Sequence, residues 1–222
     1  MMTKLTLTKS FTSLVERSER VIKVAECFGI GLEDRQWTVF KNLDLTVNQG
    51  DMIYVTGQSG SGKSCLLREI AIGLEEAGKT VKAIDAIELL DKPLIDQIGE
   101  TMQDATMLMS LAGISDAYLY IRKPSELSDG QRYRFRLAKL LEMGTDVWVA
   151  DEFGAILDRP TAKVVAYNLQ KVARRNKKTV IVATTHTDLI DELGPDLLIR
   201  KRFQDRIEVT GPHAVQSTGA AD

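Results

Sequence analysis

The segment with the clearest chemical potential is Gly57–Ser64, GQSGSGKS, which fits the pattern G-x-x-x-x-G-K-[ST] completely. Its glycines permit backbone angles at which successive N–H groups point inward at phosphate oxygens. The loop precedes a predicted helix, whose amino-terminal dipole adds positive potential. Lys63 is expected to reach the β- and γ-phosphates of a nucleoside triphosphate, and the Ser64 hydroxyl is expected to ligate Mg²⁺. The predicted nucleotide-binding residues are Gly57, Gln58, Ser59, Gly60, Ser61, Gly62, Lys63, Ser64 and Cys65.

Two adjacent acids offer the second part of such a site. Asp151 and Glu152 directly follow an apolar run that ends at Ala150. Asp151 is expected to hold Mg²⁺, directly or through water, and Glu152 is placed to polarise an attacking water. Acids at the end of a strand can also be merely solvated, but the phosphate loop upstream favours the catalytic interpretation.

Short apolar runs and amphipathic stretches must position these groups. They predict buried strands at residues 52–57, 146–151 and 179–186, and helices at residues 64–76 and 161–175. Buried strands that alternate with helices are typical of a parallel α/β sheet, whose ligands bind beyond the carboxyl ends of the strands. Gly57, Asp151 and His186 each lie at or just past such an end, so we expect them to share one edge of the sheet.

The composition bounds the class of protein. The chain has 222 residues, a net charge of −2, 44% hydrophobic residues and 27% charged residues, which suits one globular domain with a small appended lobe. This charge gives no global attraction to nucleic acid or to anionic membranes. Cys27 and Cys65 lack a metal-ligand spacing and favour a reducing, cytoplasmic location. No signal peptide or membrane span is predicted, so we expect any service to a membrane to run through a partner.

The order of the motifs resembles that of ATP-binding-cassette (ABC) ATPases over roughly residues 21–202. A phosphate loop is followed by a glutamine, the LSGGQ-like element LSDGQ, an apolar strand that ends in Asp-Glu, and a histidine. The resemblance implies an α/β P-loop NTPase fold of the ABC type, with a mostly parallel central sheet and a small helical lobe. It places the ABC ATPase domain at residues 21–209, with the helical lobe at about 104–145 and an N-terminal extension at residues 1–20. The small, polar composition of residues 210–222 predicts a disordered tail.

The resemblance also assigns roles to single residues. The family's signature helix binds the γ-phosphate of ATP held by the opposite subunit, which implies this role for Ser128, Asp129, Gly130 and Gln131. Gln103 resembles the Q-loop residue that contacts Mg²⁺ and the attacking water, Asp158 resembles the D-loop aspartate, and His186 resembles the switch histidine. The implied catalytic residues are Glu152, His186 and Lys63, and the implied Mg²⁺ ligands are Ser64, Gln103 and Asp151.

The signature element departs from the family pattern at one position. Asp129 replaces the usual glycine, which brings like charge near a phosphate but stabilises the first turn of its helix. Ser128 and Gln131 have the spacing of a capping box, so the element is expected to begin a helix whether or not it binds an anion.

The platform for the adenine base has two candidates. Phe28, in ECFGIG, stands where an aromatic residue of the family usually stacks on the base, and Trp37 is its competitor. Packing of either ring in the core is a third interpretation.

The segment from Gln103 to Leu127 is shorter than the lobe that docks family members onto membrane subunits, and two short helices are expected in it, at about 104–112 and 115–120. This favours a soluble ABC ATPase that forms a head-to-tail homodimer around ATP and Mg²⁺ and drives a protein or nucleic-acid partner.

A basic helical face formed by Arg132, Arg136 and Lys139 suits nucleic-acid phosphate, or is simply a solvated surface. The alternatives to the soluble motor are the ATP-binding subunit of a membrane transporter, with a membrane subunit as the less favoured partner, and an ATP-sensing regulatory module with little turnover.

Overall fold

The computed structural model describes residues 2–212, and residues 213–222, which contain most of the predicted disordered tail, lie outside this part of the chain. The strands are β1 Met2–Ser13, β2 Arg35–Asn48, β3 Met52–Thr56, β4 Val81–Ala83, β5 Val147–Ala150, β6 Thr179–Thr184, β7 Leu197–Lys201 and β8 Ile207–Thr210. The helices are α1 Glu19–Phe28, α2 Lys63–Glu76, α3 Met102–Leu111, α4 Ala117–Tyr120, α5 Asp129–Glu142, α6 Arg159–Arg175 and α7 Ile190–Leu193. None of these helices combines the length and the apolar composition that a bilayer span requires.

The central sheet has six strands in the order β4-β5-β6-β3-β7-β8. The first five are parallel, and β8 pairs antiparallel with β7. Every residue of β3, β5 and β6 is buried, which explains their near-continuous apolar sequences. The predicted α/β fold with a mostly parallel sheet is confirmed, together with the three predicted strands and both predicted helices.

Separate layers cover the two faces of the central sheet. On one face, α5 and α6 contribute to a core that contains Trp148, Phe135 and Phe153. On the other face, α2 contacts both the central strands and an antiparallel ribbon formed by β1 and β2. The predicted N-terminal extension of residues 1–20 contains β1, whose Leu5 and Leu7 are buried in the core beneath α2.

The helical lobe is built from α3, α4, α5 and short 3₁₀ turns. The two helices expected between the glutamine and the signature element are present as α3 and α4, and α3 packs on α5. Helix α1 has no counterpart among the predicted elements. It lies in the connection between β1 and β2, where Ser18 caps its start and Gly29 ends it in the left-handed conformation.

Candidate functional site

Two loops meet at the carboxyl edge of the central sheet and enclose a cleft of about 500 Å³. One is the phosphate loop between β3 and α2, and the other follows β5. Since β3, β6 and β5 are adjacent parallel strands, their carboxyl ends open onto the same edge. The predicted site residues that line the cleft are Ser59, Gly60, Gly62, Lys63, Ser64, Asp151 and Glu152. The structure therefore brings the predicted phosphate loop and the predicted acid pair together.

The shape of the phosphate loop depends on close contacts that exclude side chains. A Cβ at Gly57 would lie 2.0 Å from the carbonyl oxygen of Lys201, so only glycine fits there. Gly62 precedes α2 in the left-handed region with a φ of 96°, and a Cβ there would lie 2.6 Å from Val39. The Ser61 hydroxyl oxygen is buried and lacks a hydrogen-bond partner within residues 2–212. Because a buried, unpaired hydroxyl costs free energy, this loop suits a ligand whose phosphate oxygens accept a hydrogen bond from it.

Lys63 is held inside the loop rather than in solvent. Its side chain is 9% exposed, and its Nζ donates a hydrogen bond of 2.8 Å to the carbonyl oxygen of Gln58. Burial lowers the pKa of Lys63, while the charges of Asp151 and Glu152 act in the opposite direction. The ammonium group is thus aimed at the cleft and lies within electrostatic reach of both acids.

The acid pair sits in a constrained turn. Glu152 is exposed and adopts a φ of 48°, which non-glycine residues rarely do. Its N–H donates to Asp151 Oδ1 over 3.0 Å, and the following N–H, of Phe153, donates to the carbonyl oxygen of Ala183 over 2.9 Å. The second bond ties the turn to β6, so the position of Glu152 is set by the sheet and by the burial of Phe153. Oxygen atoms of Ser64 and Asp151 line the same cleft and are the ligand type that Mg²⁺ prefers.

His186 follows β6 and is held by two contacts that the motifs do not reveal. The buried hydroxyl of Tyr54 on β3 donates to the carbonyl oxygen of His186 over 2.5 Å. Two residues further on, Asp188 forms a two-point ion pair with Arg159 at the start of α6, and the guanidinium lowers the pKa of Asp188. The segment that carries His186 is therefore attached to β3 on one side and to α6 on the other. A tyrosine in an otherwise aliphatic buried strand is the sequence signal for the first contact, because a buried hydroxyl needs a partner.

The signature element begins α5 as predicted. Ser128 Oγ accepts a hydrogen bond from the Gln131 N–H over 3.3 Å, and Gln131 Oε1 accepts one from the Ser128 N–H over 2.9 Å, which confirms the capping box. Asp129 pairs with Arg132 on its own helix, so its charge is partly compensated where it stands. Asp158 caps α6 by accepting from the Thr161 N–H over 3.0 Å. None of these residues is among those that line the cleft of the same chain.

The basic face of α5 is occupied by internal hydrogen bonds. Arg132, Arg136 and Lys139 each donate to a main-chain carbonyl, at distances of 2.8, 3.3 and 2.7 Å. Arg134 does the same over 2.6 Å to Gly113. These hydrogen bonds hold the helical lobe to its neighbouring loops, so the basic face has a structural role within the chain.

The remaining predicted residues lie outside the cleft. Gln103 is exposed on α3, and Cys65 is half-buried in the first turn of α2. Phe28 ends α1 with 75% of its surface exposed. Trp37 on β2 lies against Phe11, with ring centroids 6.0 Å apart.

The known proteins that this chain resembles are ATP-binding cassette proteins. Residues 40–111 match a family model described as "ABC transporter". The chain is 30% identical to aliphatic sulfonates import ATP-binding protein SsuB 2 of Rhodococcus jostii (strain RHA1), over 80% of each chain, and 36% identical to SsuB 1 of the same strain over 70% of each. Its fold matches the dimeric post-hydrolysis ATP-binding cassette MJ0796 bound to ADP and Pi with a TM-score of 0.65, at 18% identity over 94% of this chain and 98% of the other.

Removing the Tyr54 hydroxyl should loosen the segment that carries His186. In Tyr54→Phe the His186 carbonyl oxygen loses its donor, and we expect a loss of about 1–3 kcal/mol in the free energy of unfolding. Amide hydrogen exchange at residues 185–188 should become faster in the same variant. Chemical denaturation and hydrogen exchange measure the two effects.

Tyr118→Phe is the matched control, because Tyr118 is 74% exposed. It should change the free energy of unfolding by no more than about 0.5 kcal/mol. Unaltered exchange at residues 185–188 in Tyr54→Phe would show that the hydroxyl does not hold this segment.

Proposed function

The chain belongs to the ATP-binding cassette (ABC) family and is an ATP hydrolase of that family, and we propose that it is the ATP-binding subunit of a membrane transporter. One observation carries this proposal: the similarity to an import ATP-binding protein extends over 80% of both chains. It therefore includes the helical lobe as well as the phosphate loop. A peripheral position at a membrane, reached through a membrane subunit, follows from the proposed role.

The predicted preference for a soluble protein or nucleic-acid partner over a membrane subunit is wrong. The relatives are ATP-binding proteins of import systems, which act with membrane components. The basic face of α5, which suggested nucleic acid, is used inside the chain. The shortness of the lobe was the other basis for this preference, and the similarity to import ATP-binding proteins is the stronger evidence.

The proposed chemistry uses the groups that meet in the cleft. The main-chain N–H groups of residues 57–64 and the ammonium group of Lys63 would hold the β- and γ-phosphates. Ser64 and Asp151 would hold Mg²⁺, which when bound neutralises phosphate charge. Glu152 would orient and polarise the attacking water, and His186 would contact the γ-phosphate from the loop fixed by Tyr54. Gln103 stays a predicted metal ligand that would act from α3.

Within residues 2–212 of one chain, the start of α5 does not line the cleft, which stays open on one side. We place there the start of α5 from a second copy, with the Ser128 hydroxyl and the Gly130 N–H as donors at a positive helix end. The ion pair between Asp129 and Arg132 reduces the repulsion that a carboxylate would otherwise exert on a phosphate. Two copies arranged head to tail would form two such sites, with Asp158 near the contact.

Glu152→Gln should separate ATP binding from ATP hydrolysis. The amide cannot accept a proton, so turnover should fall by at least about 100-fold while ATP still closes the dimer. Turnover assays and light scattering after gel filtration in ATP and Mg²⁺ measure both effects. Glu75→Gln, at an exposed position on α2, is the matched control and should behave as wild type. A Glu152→Gln protein that stays monomeric in ATP at high concentration would contradict the head-to-tail dimer.

Trp37 is the better candidate for the base platform in this structure. It lies two residues before Val39, whose side chain faces Gly62 of the phosphate loop, and it is 54% exposed beside Phe11. Trp37→Ala should weaken ATP binding by about 5- to 150-fold, the range of a lost base–aromatic contact, whereas Phe28→Ala should leave it unchanged. Calorimetric titration with ATP in the Glu152→Gln background measures both. The opposite result would assign the base to Phe28.

Purification from native membranes tests the transporter role. A tagged chain, extracted with detergent, should bring down an integral membrane protein in a fixed ratio. Reconstitution of that complex in vesicles should change the ATP turnover per cassette relative to the isolated chain. Recovery of the chain without any membrane protein, from both membrane and soluble fractions, would refute the role while leaving the ATPase activity intact.

A further inference from the structure

A second cavity, of about 750 Å³, lies beside the phosphate loop on the side away from the acid pair. It opens between the end of β3, the segment after β6 and the hairpin that connects β7 with β8. Its volume is within the range of about 300–1,000 Å³ that is usual for sites of small molecules. The proposed chemistry of ATP hydrolysis uses no side chain of this hairpin.

The hairpin brings positive charge to the cavity without matching acids. Arg200 and Arg206 both line it, and neither forms an ion pair within residues 2–212. Lys201 also lines it and is only 1% exposed. Its Nζ donates to two main-chain carbonyl oxygens, of Arg202 over 2.6 Å and of Gln204. Carbonyl oxygens satisfy the hydrogen bonds of an ammonium group but do not cancel its charge, and Lys201 forms no ion pair in the part of the chain that the structure describes.

The nearby acids do not remove this excess. Glu208 is engaged by Arg202 in an ion pair of 2.7 Å. Asp205 is exposed and raises the pKa of Lys201, while burial lowers it more strongly. Three cations therefore face the single free acid of the hairpin. Arg202 also lines the cavity, but its charge is paired with Glu208, and the remaining polar side chains of the lining, such as Gln58, are uncharged.

One aromatic side chain completes the lining. Phe203, at the tip of the hairpin, is 54% exposed and borders the cavity next to the arginines. An exposed ring in a cationic cavity offers a stacking surface for a flat ligand. A guanidinium group can donate two parallel hydrogen bonds to the oxygens of one phosphate. We propose that this cavity binds a small phosphate monoester with an aromatic ring, with Arg200 and Arg206 on the phosphate and Phe203 on the ring.

The two ligand sites share a wall. The carbonyl group of Lys201 abuts Gly57, and Lys201 Cε lies 3.7 Å from the position of a Cβ on Gly62. A ligand in the cavity would therefore restrict the motion of the phosphate loop through Lys201. This gives the second ligand a physical route to change the affinity for nucleotide.

Calorimetric titration of phenyl phosphate into the full chain saturated with Mg²⁺–ADP tests the proposal, because ADP then occupies the phosphate loop. We expect saturable binding, weakened at least about tenfold by Arg200→Ala/Arg206→Ala, as two lost charged hydrogen bonds imply. Arg20→Ala/Arg175→Ala removes two exposed arginines elsewhere and should leave the affinity unchanged. Absence of binding to the ADP-loaded wild type, or equal binding by both double variants, would overturn the site.

Phe203→Ala provides an independent readout that does not depend on the arginine variants. It should weaken phenyl phosphate by about fivefold or more, as a lost stacking contact implies, and leave the affinity for inorganic phosphate unchanged. Equal affinity of wild type and Phe203→Ala for phenyl phosphate would refute the role of the ring. ADP affinity, measured on the same samples, confirms folding and reports separately on the phosphate loop, so failure of this site is distinguishable from failure of the ATPase.

Discussion

The parallel pairing of β3 with β6 on one side and with β7 on the other governs the whole carboxyl edge of the sheet. This register sets Thr56 beside Thr184 and Arg200, so the loops that follow all three strands begin at one level. Main-chain hydrogen bonds fix those starting points. The phosphate loop, the His186 segment and the β7–β8 hairpin consequently form neighbouring walls, and the contact between Gly57 and the Lys201 carbonyl is so close that no side chain fits between them.

Two lysines at this edge donate hydrogen bonds to main-chain carbonyl groups rather than to acids. Lys63 and Lys201 both follow this arrangement, with the carbonyl oxygens of Gln58, Arg202 and Gln204 as acceptors. A carbonyl satisfies the donor and leaves the charge in place, so the surrounding potential remains favourable for phosphate. On α5 hydrogen bonds of the same kind also have a structural role. There Arg134 and Arg136 donate to the carbonyl oxygens of Gly113 and Ile87, so these two side chains position the helix whose start we propose to bind the triphosphate of a second copy.

The partner of this cassette could not be judged from the length of its lobe. A short connection between Gln103 and Leu127 still forms α3 and α4 and packs α3 on α5. What a lobe presents to a partner depends on the surface that this packing leaves exposed, not on the number of residues in it. Similarity to import proteins over most of the chain is the stronger guide, because it includes the lobe as a whole.

The sequence alone determined the fold class, the three buried strands, the phosphate loop, the acid pair and the capping box of Ser128 and Gln131. These are local features: apolar runs, glycine spacing and caps are set by neighbours along the chain, so they can be recognised without coordinates. Only the tertiary structure decided that residues 2–13 pair with β2 and bury Leu5 and Leu7 against α2, that Tyr54 holds His186, and that three cations of the β7–β8 hairpin face a cavity behind the phosphate loop. The contact between Tyr54 and His186 joins residues 132 positions apart, and the charge of the cavity depends on which side chains find an internal acceptor. The alternation of Leu5 and Leu7 favours a strand, but the partner of that strand and the helix that covers it are fixed only by packing.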